Sequence, residues 1–304
     1  MSFVAVERAG DPDTAAEAAR VARGPQGRRR RPSAWHLLLL PVALLMIFPF
    51  VWLVITSAST LAETRTFPPT LPDGFPVTWL INMAHNYSDA WTQAPFGHWA
   101  LNTAIVTVVV VLGNLAFCSL AGYALARLRF FGRTVLFLVI LATLMVPFQV
   151  VMIPVLLICR GLGIVDTLPA LILPNLVTPF GIFLLRQFFK TLPIEIEEAA
   201  RIDGATRLGT LFKVLLPSMG APLATVGIMT MLWSWNDFLW PLIAITSQQN
   251  MTLQLGLSSF VGSHTTNWPV LMAGTVMTQL PMLLIFLFAQ RWFVQSFAAS
   301  GVKG

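Results

Sequence analysis

Charged side chains are scarce in this sequence of 304 residues. Asp, Glu, Lys and Arg make up only 11% of the chain, whereas hydrophobic residues make up 56% and the mean hydropathy is +0.74. A soluble domain carries about 25% charged residues. So large a deficit excludes an ordinary soluble protein, and it predicts that most of the chain is surrounded by lipid.

Metal ligands and disulfide partners are also few. The chain has two cysteines, Cys118 and Cys159, and each lies in an apolar run, where a small core residue is the expected role. His85, His98 and His264 show no ligand spacing. We therefore expect neither a disulfide framework nor a metal site.

The motifs of catalysis and nucleotide binding are missing as well. The sequence contains no GxxxxGK(S/T) phosphate loop, no HExxH and no Ser-His-Asp set. A net charge of +6 and a pI near 10.1 would suggest a nucleic-acid partner in a soluble protein. Here the charges lie between the apolar runs, so membrane topology is the simpler cause and no nucleic-acid partner is expected. We expect no catalytic residue and no cofactor in this chain.

Six apolar runs are long enough to cross a bilayer, whose hydrocarbon core of about 30 Å needs about 20 helical residues. The runs cover approximately 35–57, 100–125, 134–158, 168–189, 218–246 and 270–293. Lipid offers the backbone no hydrogen-bond partner, so each must be helical. We expect Pro169, Pro174 and Pro179 to kink the fourth span. The expected fold is an all-α integral membrane protein in which residues 34–304 form one six-span domain.

Residues 1–33 differ from the rest of the chain. They are rich in Asp, Glu, Ala, Gly and Arg and contain almost no large apolar group after Val6, so we expect a disordered tail. A cleavable signal peptide is the alternative, since basic, apolar and small residues follow in order. The apolar stretch is about 22 residues long, beyond the roughly 7–15 of a signal-peptide core. This length favours an uncleaved first span.

Positive charge is distributed unequally between the two sides of the predicted membrane. With a cytoplasmic N-terminus, 17 of the 19 Lys and Arg residues fall on the cytoplasmic side, and only Arg65 and Arg160 fall outside. The positive-inside rule then predicts a multi-pass protein with both termini in the cytoplasm. Two outside segments, 58–98 and 247–268, could be plain connectors, but both exceed the usual connector length, which favours a binding role.

One cytoplasmic segment is charged although it lies between two apolar spans. Residues 193–213 begin with Pro193, which suits the start of a helix, and carry three glutamates near that positive end of the helix dipole. Gly204 permits a sharp bend, and a second short helix is expected from Thr206. An interfacial helix resting on lipid is the alternative, but it should be rich in Lys and Arg rather than acids. Docking of a cytosolic protein is the favoured interpretation.

The spacing in this segment resembles the EAA loop of ABC-importer permeases. Glu198-Ala199-Ala200 is followed by three residues and Gly204, then by nine residues and an aliphatic-Leu-Leu-Pro ending in which Val214 replaces the family's usual Ile. Further matches extend over approximately residues 35–304. They include Asn102-Thr103, 121–127, Pro147, 161–163, Asp166-Thr167, 180–187, 235–242 and 301–304. Together they resemble the smaller six-span permease of the sugar and glycerol-phosphate importers, as in the maltose-type systems.

That resemblance implies a type I importer permease fold, partners and residue roles. The residues that would contact the ATPase are Glu198, Ala199, Ala200, Arg201, Asp203, Gly204 and Lys303. The residues that would contact an extracytoplasmic solute-binding protein are Ser258, Phe260, His264 and Asn267. ATP and Mg²⁺ would belong to two partner ATPase subunits. A second permease would complete a heterodimer in the lipid of a bacterial inner (plasma) membrane.

A polar and aromatic cluster lies in the predicted fifth span. It comprises Trp235, Asn236, Asp237 and Trp240. Indole faces can stack on sugar rings, and Asn and Asp can bond hydroxyl groups, which would place the cluster on the substrate path. The alternative is packing or an interfacial tryptophan belt. In the resembled maltose systems the sugar is held mostly by the larger permease, which favours the alternative.

The predicted function is that of a channel-forming subunit without enzyme activity. It would move a sugar or glycerol-phosphate-type solute into the cytoplasm, driven by the separate ATPase. A permease for amino acids or peptides would share the EAA loop but not the 235–242 segment or the C-terminal residues. An ATP-independent secondary carrier would need ionisable residues along its pore, and the predicted spans are nearly free of charge.

Overall fold

The computed structural model describes residues 35–66, 76–261 and 266–301, and none of these residues belongs to a β-strand. The predicted tail 1–33 lies outside the described residues. The chain divides into two compact units, 1–51 and 52–304, and the candidate functional residues described in the following subsections lie in the second. The helices are α1 (Trp35–Ser57), α2 (Leu61–Arg65), α3 (Val77–Thr92), α4 (Phe96–Arg127), α5 (Arg133–Thr143), α6 (Phe148–Gly161), α7 (Leu168–Ile172), α8 (Pro179–Thr191), α9 (Ile194–Ile202), α10 (Arg207–Thr210), α11 (Leu216–Ser218), α12 (Gly220–Trp235), α13 (Leu239–Ala244), α14 (Leu253–Ser258) and α15 (Trp268–Gly301).

Apolar helices of membrane-spanning length dominate the described residues. Four stretches qualify by length and composition: Leu39–Ser57, Phe96–Arg127, Leu168–Thr191 and Trp268–Phe288. Two further pairs of segments qualify only when each bent pair counts as one span, which gives up to six. The all-helical membrane fold is thus confirmed, but the predicted third and fifth spans are not straight helices.

The predicted third span, 134–158, is bent by 104° between α5 and α6. Helix α5 ends at Thr143, and Pro147 precedes α6 in an extended conformation with φ −60° and ψ 139°. Proline has no N–H to donate, and it disfavours a helical conformation in the residue before it. The proline therefore accounts for a break that an apolar run does not reveal.

The predicted fifth span, 218–246, is interrupted within its length. The bend of 85° between the segments Arg207–Ser218 and Gly220–Trp235 lies at its predicted start. The helix then stops after Trp235, and α13 begins only at Leu239. In the gap the Asp237 carboxylate accepts a hydrogen bond from the Trp240 backbone N–H at 3.4 Å, a local bond that competes with a continuous helix. The tryptophan cluster therefore lies at a helix break.

Helix α4 is the central packing element of the second unit. Its contacts with α8 and with α12 are the most extensive between described elements. Leu125 lies in a buried cluster near the C-terminal end of α4, and Trp99 lies in another near the N-terminal end. At about 1.5 Å per residue, its 32 residues extend about 48 Å. One continuous helix therefore contributes to the core at both ends of the bundle.

The segment 58–98, expected as an outside loop, is largely helical where it is described. Helix α3 packs against α15. Its Asn86 side-chain amide donates to the backbone carbonyls of Ser57 and Ser59, both at 2.9 Å. These contacts make the segment a packed part of the fold. Below, the EAA end denotes the end of the bundle that carries α9 and α10, and the anchored loop denotes residues 245–258 at the opposite end of α4.

Candidate functional site

Helix α9 carries the EAA motif and has well-defined ends. Pro193 precedes it in an extended conformation, and the helix runs over Ile194–Ile202. Just beyond the C-terminal end, Gly204 adopts φ +82°, a left-handed conformation that suits a residue without Cβ. The N–H of Ala205 donates to the carbonyl of Ala200 at 2.9 Å. This bond closes the helix before the chain turns away.

Within the segment 193–213 the structure has two helices joined by a turn, in agreement with the bend expected at Gly204. Helix α10 begins after Thr206, whose hydroxyl accepts a hydrogen bond from the Gly209 N–H at 3.1 Å. The chain continues directly into a π-helical stretch, Leu211–Leu215. The second short helix expected from Thr206 is thus confirmed.

The two faces of α9 differ sharply in exposure. Glu197 and Ala200 are buried, with 7% and 9% exposure, and Ile196 packs against the same core. Glu198 and Ala199 of the motif lie on the exposed side. The other exposed residues here are Glu195, Arg201, Ile202, Asp203 and Gly204. Of the described residues that were predicted to dock on an ATPase, Ala200 alone faces the chain's own core.

The buried Glu197 carboxylate is neutralised within the chain. Arg127, the last residue of α4, places its Nε 2.6 Å from Glu197 Oε1, and the two side chains are only 13% and 9% exposed. The same guanidinium donates to the Leu192 carbonyl at 2.5 Å. That carbonyl follows α8 and has no partner within the helix. Arg127 therefore connects three elements: α4, the end of α8, and α9.

A second arginine fastens the same junction from the α8 side. Arg186 is 8% exposed, and its Nε donates to the Leu125 carbonyl in the last turn of α4 at 3.1 Å. Its guanidinium carbon lies 3.5 Å from the centre of the Phe137 ring, within the range of a cation–π contact. At the EAA end an arginine of α4 thus donates to the carbonyl that follows α8, and an arginine of α8 donates to a carbonyl of α4.

The opposite end of α4 holds the anchored loop through neutral side chains. The Trp99 indole N–H donates to the Gln248 carbonyl at 2.8 Å. The Asn102 amide donates to the carbonyls of Gln249, at 2.7 Å, and Met251, at 2.9 Å. Two side chains of α4 therefore donate hydrogen bonds to three backbone carbonyls of the loop. The Thr103 hydroxyl adds a further bond by accepting from the Leu253 N–H at 2.8 Å.

Asp166 fastens the anchored loop to the connector between α6 and α7. Its Oδ1 accepts from the N–H groups of Thr246 and Ser247 and from the Ser247 hydroxyl, all at 2.9 Å. Its own carbonyl accepts from the Asn250 amide at 2.6 Å. These hydrogen bonds to the charged form, led by the Ser247 N–H, lower the pKa of the Asp166 carboxyl. Asp166 also has φ +62°, a conformation uncommon outside glycine.

Comparison with known proteins identifies the family to which this chain belongs. Residues 118–298 match the family model described as binding-protein-dependent transport system inner membrane component. The chain belongs to this family. The match includes the EAA helix and the anchored loop, so the family expected from the EAA spacing is confirmed.

Full-length relatives and a solved structure agree with that assignment. This permease is 38% identical over 266 residues to the arabinooligosaccharides transport system permease protein AraQ of Halalkalibacterium halodurans, over 86% of this chain and 93% of the relative. It is 34% identical over 276 residues to the sn-glycerol-3-phosphate transport system permease protein UgpE of Pectobacterium atrosepticum, over 87% and 95%. A solved bacterial ABC transporter involved in alginate import aligns with a TM-score of 0.73 at 24% identity, over 95% of this permease and 100% of that chain, and shows the shared fold.

The residues predicted to meet a solute-binding protein lie at or beyond the end of the anchored loop. Ser258 and Asn267 are exposed. Phe260 is half-buried, with its ring edge-on to Trp99 at 6.2 Å between centres. His264 lies outside the described residues, as does Lys303, predicted for the ATPase. Most of the loop before Ser258 is packed: Leu253, Leu255 and Leu257 are all buried, and so is Gly256.

The tryptophans predicted for the substrate path are structural in their contacts. Trp235 is 8% exposed and donates its indole N–H to the Thr278 carbonyl at 3.1 Å. Trp240 is 1% exposed and donates to the Ala170 carbonyl at 2.9 Å. Asn236 is exposed, and its Oδ1 accepts from the Gln254 amide at 3.2 Å. These contacts favour packing for both indoles, and of the two polar members Asn236 is exposed and Asp237 is half-buried.

Several residues that hold these ends together received no role from sequence reasoning. In the sequence, Arg127 is one of the 17 Lys and Arg residues assigned to the cytoplasmic side, and Glu197 is one of the three glutamates of the segment 193–213. The polar pair Asn102-Thr103 inside an apolar run was the available signal, since polar groups in a membrane span are costly unless satisfied. In the part of the chain that the structure describes, no three His, Cys, Asp or Glu residues come close enough to hold a metal.

Proposed function

We propose that this permease is the channel-forming subunit of a binding-protein-dependent ABC importer that moves a sugar or glycerol-phosphate-type solute into the cytoplasm. The main observation that supports this proposal is the exposed side of α9. Glu198 and Ala199 are accessible on a short helix whose other side is buried against the chain. A small residue beside a free carboxylate permits close approach of a partner and an ion pair with its Arg or Lys.

The driving partner in this proposal is a separate ATPase that receives α9. Its two copies would bind ATP and Mg²⁺, and a second permease would complete the path. The mechanism would be alternating access, in which movement of the EAA helices opens the path toward a docked solute-binding protein. The 17 Lys and Arg residues assigned to one side support placing the EAA end and both termini in the cytoplasm.

The solute class is proposed from the relatives and from the charge of the spans. The two relatives are named for arabinooligosaccharides and for sn-glycerol-3-phosphate. In the four described stretches that qualify as spans on their own, the basic residues Arg127, Arg186 and Lys190 all lie near the EAA end. A phosphate group would need a cation along the path, which the second permease would have to supply. We therefore favour a neutral sugar.

The coupling role is tested with Glu198→Lys in the complete complex, reconstituted with the second permease, the ATPase and the solute-binding protein. We expect the two permeases to remain associated while ATP hydrolysis no longer drives uptake, because a lysine would face the partner's cation. Glu195→Lys is the matched control, since Glu195 is an exposed glutamate on the same helix. Full uptake by the Glu198→Lys complex would contradict the role.

The solute class is tested by binding and uptake. Arabinose oligomers, sn-glycerol-3-phosphate, amino acids and short peptides are offered to the solute-binding protein, and ATP-dependent uptake is measured for any that bind. Sugar uptake supports the proposal. Uptake of amino acids or peptides alone, or uptake that persists without the ATPase, points to one of the two rival functions instead.

A further inference from the structure

The connection between α8 and α9 is an elbow without helical hydrogen bonds of its own. Leu192 has φ −72° and ψ 138°, and Pro193 has φ −58° and ψ 137°. Both residues are extended, and proline has no N–H to donate. A push on α9 could therefore be absorbed by rotation at these two residues, unless another contact holds the elbow.

Arg127 supplies a contact on each side of this elbow. It donates to the Leu192 carbonyl at 2.5 Å, before the turn, and pairs with Glu197 at 2.6 Å, after it. The cation and the carboxylate are both largely buried, so solvent and salt screen their attraction only weakly. The contact comes from α4, which is distant from α9 in sequence.

Helix α4 continues without interruption from this contact to the anchored loop. Arg127 is its last residue, and Trp99, Asn102 and Thr103 lie in its first turns. Those three residues bind four backbone groups of the loop. A displacement delivered to the end of α4 would thus reach the loop through one rigid element.

We propose that Arg127 and Glu197 are positioning residues that fasten the EAA helix across its elbow to α4, so that movement of α9 is delivered to α4 and the anchored loop. The inference rests on the proposed function, because it assigns a path for the force that an ATPase would exert on α9. Glu197 and Glu198 then have different tasks: the first holds the helix to its own chain, and the second faces the partner.

The test is a double-mutant cycle in the complete reconstituted importer. Arg127→Ala, Glu197→Ala and the double variant are compared for solute uptake per ATP hydrolysed. We expect each single variant to lower this ratio about tenfold, and the double variant to be no worse than the more severe single one, since the two residues act as a pair. Arg127→Lys should recover part of the ratio. Glu195→Ala, exposed on the same helix, should leave it unchanged.

A second measurement does not depend on solute. Hydrogen exchange of the backbone amides of 194–202 is followed in the purified complex, with α12 as the internal reference. Glu197→Gln, which keeps the side-chain volume, is included in case the alanine variants do not assemble. We expect faster exchange in α9 and no change in α12. Unchanged exchange in α9, or faster exchange with an unchanged uptake ratio, would overturn the proposal.

These outcomes are separable from a failure of the proposed function. A wild-type complex that shows no ATP-driven uptake of any offered solute contradicts the importer assignment whatever the variants do. A wild-type complex that transports, beside Arg127 and Glu197 variants that transport equally well per ATP, contradicts the fastening alone.

Discussion

The two ends of helix α4 are held by different chemistry. At the EAA end an arginine is paired with a buried glutamate and also binds a carbonyl. At the other end an indole, an amide and a hydroxyl bind the backbone of the anchored loop, and no charge is involved in those bonds. Asp166, which carries a charge, reaches the loop from a different element.

The difference follows from what each end must hold. The anchored loop offers backbone carbonyls and N–H groups, which neutral donors and acceptors satisfy one by one. The EAA helix is held by a side chain across a non-helical elbow, and a charged pair concentrates more attraction in a single contact. Removing one partner of a buried pair leaves an uncompensated charge, whereas removing a neutral donor leaves only an unsatisfied carbonyl. The two ends should therefore respond unequally to single substitutions.

Arg127→Ala should have the largest effect on stability. It leaves the Glu197 carboxylate buried without its cation, which we expect to cost about 3 kcal/mol. The measurement is the thermal unfolding midpoint of the purified complex. Lys213→Ala removes an exposed cation at the same end and should change stability by less than about 0.5 kcal/mol. Equal effects of the two variants would contradict the importance of the buried pair.

Gly256→Ala tests packing at the loop end. A Cβ at this position would lie 2.2 Å from an atom of the Trp99 ring, and a rigid buried indole cannot move aside easily. We expect a loss of about 1–3 kcal/mol from overpacking, with weaker attachment of the loop detected by limited proteolysis. Gly161→Ala is the control, because nothing lies within 4 Å of its added Cβ. Similar losses in both would show that the tight contact is not responsible.

Asn102→Ala tests the neutral bonds alone. Two loop carbonyls lose their donor, which should cost about 1–2 kcal/mol, less than the loss expected for Arg127→Ala. Hydrogen exchange over residues 247–254 should accelerate, while exchange in α9 stays as in the wild type. A slower or unchanged rate in the loop would contradict the anchoring role of Asn102.

Asp166→Asn should give the smallest effect and a distinct pH dependence. The pKa of the Asp166 carboxyl is lowered in the folded chain by its hydrogen bonds. Its stabilising contribution is therefore present above the ordinary value of about 3.9 and is lost as pH falls through the lowered value. We expect the difference in unfolding midpoint between wild type and variant to stay constant from about pH 8 to pH 5 and to shrink below about pH 4, as the carboxyl becomes protonated. A difference that stays constant throughout the acid range would contradict the lowered pKa.

Sequence reasoning and structure agree best where one residue type has one physical role. Gly204 was expected to permit a bend, and it occupies a left-handed conformation at the end of α9. Pro169, Pro174 and Pro179 were expected to disturb the fourth span, which consists of α7, a 3₁₀ turn and α8. The breaks at Pro147 and Asp237 were not predicted, because apolar content alone was used to set those span boundaries.

The sequence by itself determined the membrane class, the family and the location of the EAA helix, because composition, charge asymmetry and motif spacing are properties of the chain alone. Only the tertiary structure decided which glutamate of that helix is buried and which is accessible. Glu197 and Glu198 are adjacent and chemically identical, and α4 approaches just one of them. The same holds for the anchored loop, whose backbone is bound by residues far away in sequence. Burial depends on which elements meet in space, and that is decided by packing rather than by local pattern.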